Sequence, residues 1–152
     1  MIPKEIQEKI KFIIQENGLK LTNQRNAVLN AFFEKNYKHM NVEEVYNFSK
    51  AYCNEIGIST VYRSIIAFEK IGVLKKIETG EIYARYELTI PDKKLDHPHM
   101  VCKKCGRIIG AYDSEILEKL NAGRELIENK YDFKIDSESI VYYGICKECA
   151  DS

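Results

Sequence analysis

The 152-residue chain has no tryptophan, only three prolines and only three histidines, and its 23 Lys and Arg are offset by 23 Asp and Glu. Each of these scarcities excludes something. With no net charge, indiscriminate coating of DNA or of an anionic membrane is excluded, so any grip on a polyanion must come from local placement of charge. No apolar run approaches the ~18 residues of a membrane span. The opening stretch MIPKEIQEKI is charged every few residues, unlike a secretion signal. The cytoplasm is therefore the expected location, with no membrane partner. No segment is rich enough in Pro or Ser to act as a flexible linker, and 45% hydrophobic with 30% charged residues is the composition of folded domains.

What is present in the front half is helical periodicity. Ile6, Ile10, Ile13 and Ile14 recur at helical spacing up to Gly18, a good residue on which to leave a helix. Thr22 can cap a second helix with Ala27, Val28, Ala31 and Phe32 on its apolar face. Asn41 with Glu44 three residues later has the form of a capping box for a third helix carrying Val42, Val45 and Tyr52. Ser59 can cap a fourth, STVYRSIIAFEKIG, whose inner stripe Val61, Ile65 and Phe68 leaves Thr60, Tyr62 and Arg63 facing outward. The period then changes: VLKKIE, the turn TGE and IYARYEL alternate as a β-hairpin. Helices followed by a hairpin give the order of a winged-helix DNA-binding domain, with a small helical core carrying an incidental hairpin as the plainer alternative.

TIPDKKLD has Pro91, several charges and little apolar content, and reads as a hinge. After it come short strands through Met100–Val101 and RIIGAY, a helix of roughly 16 residues capped by Ser114 and weakened at Gly123, and the strand-like run SIVYYGIC. The expected class is α+β: a winged-helix domain over 1–88, a hinge at 89–96, and a small α/β domain over 97–152. So few strands imply a sheet completed by a second chain.

Four of the five cysteines form two knuckles, Cys102-Lys-Lys-Cys105-Gly106 and Cys146-Lys-Glu-Cys149. A CxxC turn aims two thiolates at one cation, and two such turns complete a tetrahedral Zn(II) site that tethers the end of the chain to its middle. A thioredoxin-like redox pair is the competing reading, but it needs no second pair and lacks a preceding βαβ unit. Cys53 stands alone on a helical segment, as a small buried apolar residue. His97-x-His99 places two imidazoles on one face of a strand, which suits shared coordination of one cation.

At this point the chain resembles the ferric uptake regulator family of bacterial metal-dependent repressors, through GLKLTNQR, HMNVEEVY, ISTVYRSI, HPHMVCKKCG and YYGICKEC in that order. The resemblance implies a DNA-binding winged helix, a dimerising α/β domain, structural Zn(II) on Cys102, Cys105, Cys146 and Cys149, and a regulatory metal on His39, Glu87, His97 and His99. Fe(II) is the expected regulatory metal, with Mn(II) or Zn(II) able to occupy such an N/O set. A peroxide sensor and then a zinc sensor of the same family are the next readings. Tyr62 and Arg63 match recognition-helix residues, and Lys20 matches a residue reaching the minor groove. Arg25 and Thr60 complete the candidate DNA contacts. The implied partners are a second copy of the chain and double-stranded operator DNA bearing an inverted repeat.

One position departs from the pattern. Gly110 stands where the family commonly has a carboxylate as a fifth ligand, and Asp96, Asp113, Glu115 or water would have to substitute for it. Pro98 stands where some members have a carboxylate of an auxiliary site, so that site is not expected. Outside the family, a His/His/carboxylate metalloenzyme and a zinc-knuckle interaction module are the alternatives. No nucleophile arrangement or phosphate loop accompanies these ligands, so no enzymatic activity is expected.

Overall fold

In the computed structural model, residues 1–35, 39–78, 80, 83–91 and 97–152 are described. The chain divides into two compact units, Met1–Asp92 and Lys93–Ser152.

The first unit holds α1 (Lys4–Glu16), α2 (Asn23–Glu34), α3 (Val42–Ser49) and α4 (Ile58–Lys70), then the antiparallel strands β1 (Leu74–Ile77) and β2 (Arg85–Leu88). Ile10 and Ile14 of α1, six residues of α2, and Val61, Ile65 and Phe68 of α4 share one apolar core. Burying each such Val, Ile or Phe is worth about 1.5–3 kcal/mol, so this core dominates the unit's stability. Two helices end in the same way. After α1, Gly18 at φ 72° lets the Leu19 N–H reach the Ile14 carbonyl. After α4, Gly72 at φ 75° lets the Val73 N–H reach the Phe68 carbonyl. The second of these turns sends the chain directly into the hairpin.

Local signals at helix starts fared unevenly. Thr22 Oγ1 accepts from the Arg25 N–H, and Asn41 and Glu44 form the full capping box. The fourth helix starts one residue before Ser59, with Gly57 at the N-cap and no side-chain cap. Tyr52 lies beyond the end of α3, half exposed, with its hydroxyl on Glu34, and so is not part of that helix's apolar face. Cys53 is also outside a helix and only partly buried against the core. The turn TGE falls largely outside the described residues, as do residues 92–96 of the expected hinge. Thr89 and Ile90, also assigned to that hinge, are held by the first unit: the Thr89 N–H donates to the Val73 carbonyl at 2.9 Å and Ile90 packs on the core.

The second unit contains β3 (His99–Cys102), β4 (Ile108–Gly110), α5 (Ser114–Tyr131), β5 (Val141–Gly144) and α6 (Lys147–Ala150). Its sheet has the order β4-β3-β5, with β4 antiparallel and β5 parallel to the central strand. Asp113, not Ser114, caps α5, accepting from the Glu115 and Ile116 N–H groups, and the helix runs unbroken through Gly123. This helix has no buried residue, and Ile116, Leu126, Ile127 and Tyr131 on it are exposed. In the described residues of this unit the buried apolar side chains are Pro98, Val101 and Cys102.

Candidate metal centres and nucleic-acid face

The two cysteine knuckles meet. Cys102 ends β3, Cys105 closes the tight turn in which Gly106 takes φ 71°, Cys146 stands at the N-cap of α6 and Cys149 lies within that helix. Parallel pairing of β3 with β5 sets Cys102 against Gly144, which carries the second knuckle to the first. The four sulfurs all lie within 4.8 Å of one another, with Cys105 Sγ and Cys146 Sγ 3.8 Å apart. A tetrahedron with Zn–S bonds of about 2.3 Å has edges of about 3.8 Å, so the donor set fits that ion.

Electrostatics point the same way. The Cys146 N–H donates to Cys102 Sγ at 3.3 Å and draws that thiol down to about 6, the Cys105 N–H adding to the effect. Cys149 is pushed up to about 12 by hydrogen bonding among the clustered sulfurs of Cys105 and Cys146. One thiol of the cluster is thus driven toward the thiolate while another is held protonated, and a dication that binds all the sulfurs as thiolates relieves the conflict. Arg107 and Glu148, each beside a knuckle, form a two-pronged ion pair, and the Lys104 ammonium donates to the Cys149 carbonyl at 3.1 Å. That pair raises the Arg107 pKa and lowers that of Glu148. Sequence spacing identifies the sulfurs but not these cross-links.

In the first unit, His39 and Glu87 form a donor pair. Met40 and Tyr86 make an isolated antiparallel bridge, with N–O distances of 3.0 and 2.9 Å, and His39 and Glu87 are the flanking residues opposite each other across it. His39 Nε2 lies 3.1 Å from Glu87 Oε2, with both side chains almost wholly buried. A ring nitrogen and a carboxylate oxygen at that separation share a proton or a cation. Arg85 fixes the backbone of the pair: its Nη1 donates to the His39 carbonyl and to Glu44 Oε2, both at 3.0 Å. Glu44 thus serves the cap of α3 and the support of His39 together, a role its sequence position does not reveal.

In the second unit, His97 and His99 form another donor pair, with ring centroids 4.5 Å apart. His99 is buried in β3 and His97 lies just before the strand, its ring 4.2 Å from that of Tyr112. Two imidazoles brought together in this way are fitting donors for a first-row divalent ion. Of the carboxylates expected to compensate for Gly110, Asp113 caps α5 and Glu115 pairs with Lys119 at 2.6 Å, while Asp96 lies outside the described residues.

The candidate DNA contacts sit on the first unit. Tyr62 and Arg63 are exposed on α4, and Thr60 is half-buried, its Oγ1 3.4 Å from the Arg63 guanidinium. Lys20 is exposed in the turn before α2. Arg25 donates through Nη1 to the Lys20 carbonyl at 2.8 Å, and so holds that turn.

The model of the Ferric uptake regulator family matches residues 16–143. The ferric uptake regulation protein of Bacillus subtilis (strain 168) is 32% identical over 142 residues, covering 93% of each chain. The peroxide-responsive repressor PerR of Staphylococcus saprophyticus is 26% identical over 138 residues, 91% of this chain and 87% of that one. Among solved structures, the Helicobacter pylori ferric uptake regulator, in which three functional metal-binding sites are described, superposes with a TM-score of 0.74 at 31% identity, over 98% of this chain and 94% of that one.

Proposed function

Because the chain belongs to the ferric uptake regulator family, we propose that His39, Glu87, His97 and His99 bind one regulatory Fe(II), and that this metal switches the protein onto operator DNA. The family is one of metal-dependent, DNA-binding, dimeric repressors, and the chain carries a four-cysteine cluster suited to structural zinc. One observation supports the regulatory assignment: all three histidines of the chain fall into two donor pairs, one in each unit. A cation ligated by both pairs ties the first domain to the second across the segment that joins them, after Thr89 and Ile90, which the first unit holds. It favours the arrangement it binds better, by no more than its differential affinity for the two. Fe(II) is assigned as the signal because the relative at 32% identity is a ferric uptake regulation protein, whereas the peroxide-responsive one stands at 26%.

On DNA, Tyr62 presents an apolar ring edge to thymine methyls and Arg63 a bidentate donor to guanine or phosphate, with Thr60 beside it. Lys20 enters the minor groove and Arg25 steadies its turn. Two copies of the chain read the two halves of an inverted repeat, and this regulation takes place in the cytoplasm. No helix among the described residues is long and apolar enough to cross a membrane.

The test is metal stoichiometry combined with DNA binding. After mild chelation under anaerobic conditions, one zinc per chain stays bound and one Fe(II) then adds, tightening binding to an inverted-repeat duplex. His97→Ala loses the second metal and the response. Arg63→Ala keeps both metals but weakens duplex binding by about 1–3 kcal/mol. A single metal per chain under Fe(II), Mn(II) and Zn(II) alike would overturn the reading.

A further inference from the structure

We propose that the Tyr112 hydroxyl is an oxygen donor to the metal held by His97 and His99, standing where a carboxylate at position 110 would otherwise reach. The inference deepens the regulatory-site reading above and rests on it.

The antiparallel register of β3 and β4 pairs His99 with Gly110, and the Ala111 N–H continues the ladder to the Pro98 carbonyl at 2.9 Å. Continuing that register sets Tyr112 opposite His97. Directly opposed residues of an antiparallel pair point to the same face, as do residues two apart on one strand. His97, His99, Tyr112 and the bare side of Gly110 therefore share one face. The ring positions agree, with Tyr112 4.2 Å from His97 and tilted 33° to it.

Gly110 makes room for this arrangement. A Cβ at Gly110 would stand 2.7 Å from Tyr112 Cε2 and 2.8 Å from both Cζ and Oη. The phenol end of Tyr112 thus fills the volume through which any side chain at 110 would have to pass. The loss of a side chain at 110 and the placing of an oxygen beside the histidine pair are one feature of this chain. Asp113 and Glu115 are engaged elsewhere, as described above. A phenol oxygen is a hard donor, which joins two imidazoles in a set suited to iron, cobalt or manganese.

The test uses full-length protein retaining its zinc, titrated anaerobically with Co(II), whose visible absorption reports coordination number and donor type. Tyr112→Phe keeps the ring against His97 and removes only the oxygen. We expect it to lower Co(II) affinity by at least about tenfold and to change the d–d spectrum. The double variant Gly110→Asp/Tyr112→Ala, which exchanges the phenol for a carboxylate, should regain the affinity. One zinc per chain in each variant serves as the folding control. If Tyr112→Phe matches the parent in both affinity and spectrum, Tyr112 only packs against His97 and the inference fails, while the regulatory-site reading stands. If the parent takes up no second Co(II), both fail together.

Discussion

Arg85 shows how much of the proposed regulatory site resides in residues that are not among its ligands. Its Nη1 donates to the carbonyl of His39 and to the carboxylate that caps α3. Removing it leaves the His39 carbonyl and one Glu44 oxygen without a charged donor and lets the imidazole turn away from Glu87. Loss of such an outer partner typically costs 10–100-fold in metal affinity. Arg85→Ala should accordingly weaken exchangeable-metal binding by about that factor and leave the zinc content at one per chain. Competition titration against a chromophoric chelator measures the first and elemental analysis the second. Unchanged affinity would show that the cross-strand bridge alone places His39. At this scale the sequence is legible where a residue acts within one turn of itself. Asn41 and Glu44 announce their capping box, Thr22 its cap, and the CxxC pairs their shared cation. It is opaque where the partner comes from a register. Arg85 meets His39 across 46 positions, and Tyr112 meets His97 only through a pairing of β3 with β4 that no local pattern encodes.

At the scale of the element, α5 is the least settled by its own unit. It is 18 residues long, well capped by Asp113, runs through Gly123 without a break and buries nothing. Ser114 looks like its cap in sequence because Ser, Asp and Asn compete for that place on nearly equal terms, and the adjacent Asp113 is the one whose carboxylate reaches two N–H groups. Gly123 looks like a break, yet the helix continues through it, since glycine costs only about 1 kcal/mol against alanine. A Cβ there meets nothing within 4 Å. Gly123→Ala should therefore stabilise the protein by about 0.5–1 kcal/mol, read as a rise in the midpoint of chemical denaturation with an unchanged m-value. A fall would place the second copy's backbone against this point of the helix.

At the scale of the whole molecule, stability is divided unevenly. The large apolar cluster, from Ile2 to Tyr86, belongs to the first unit. The second has a three-stranded sheet, a helix with its apolar side chains exposed, and a 220 Å³ apolar groove lined in part by Met100, Ile109, Tyr142 and Ile145. A unit of some 60 residues with so little interior needs a staple or a partner: the four-cysteine cluster closes the chain's end onto β3, and the exposed apolar side chains are open to the second copy that a dimeric family implies. Structural zinc supplies folding free energy outright. Stripping the zinc with a strong chelator, or Cys102→Ser with Cys149→Ser, should thus melt the second unit, dissociate the dimer and abolish DNA binding, while most of the helical signal carried by α1–α4 persists. Light scattering gives the mass and far-ultraviolet circular dichroism the helix content. A stripped protein that stays dimeric would mean that apolar contact between copies, and not the metal, holds the second unit together. A stripped protein that loses all its helix would mean that the first unit's core is insufficient alone, against the burial of six residues in α2 and four in α4.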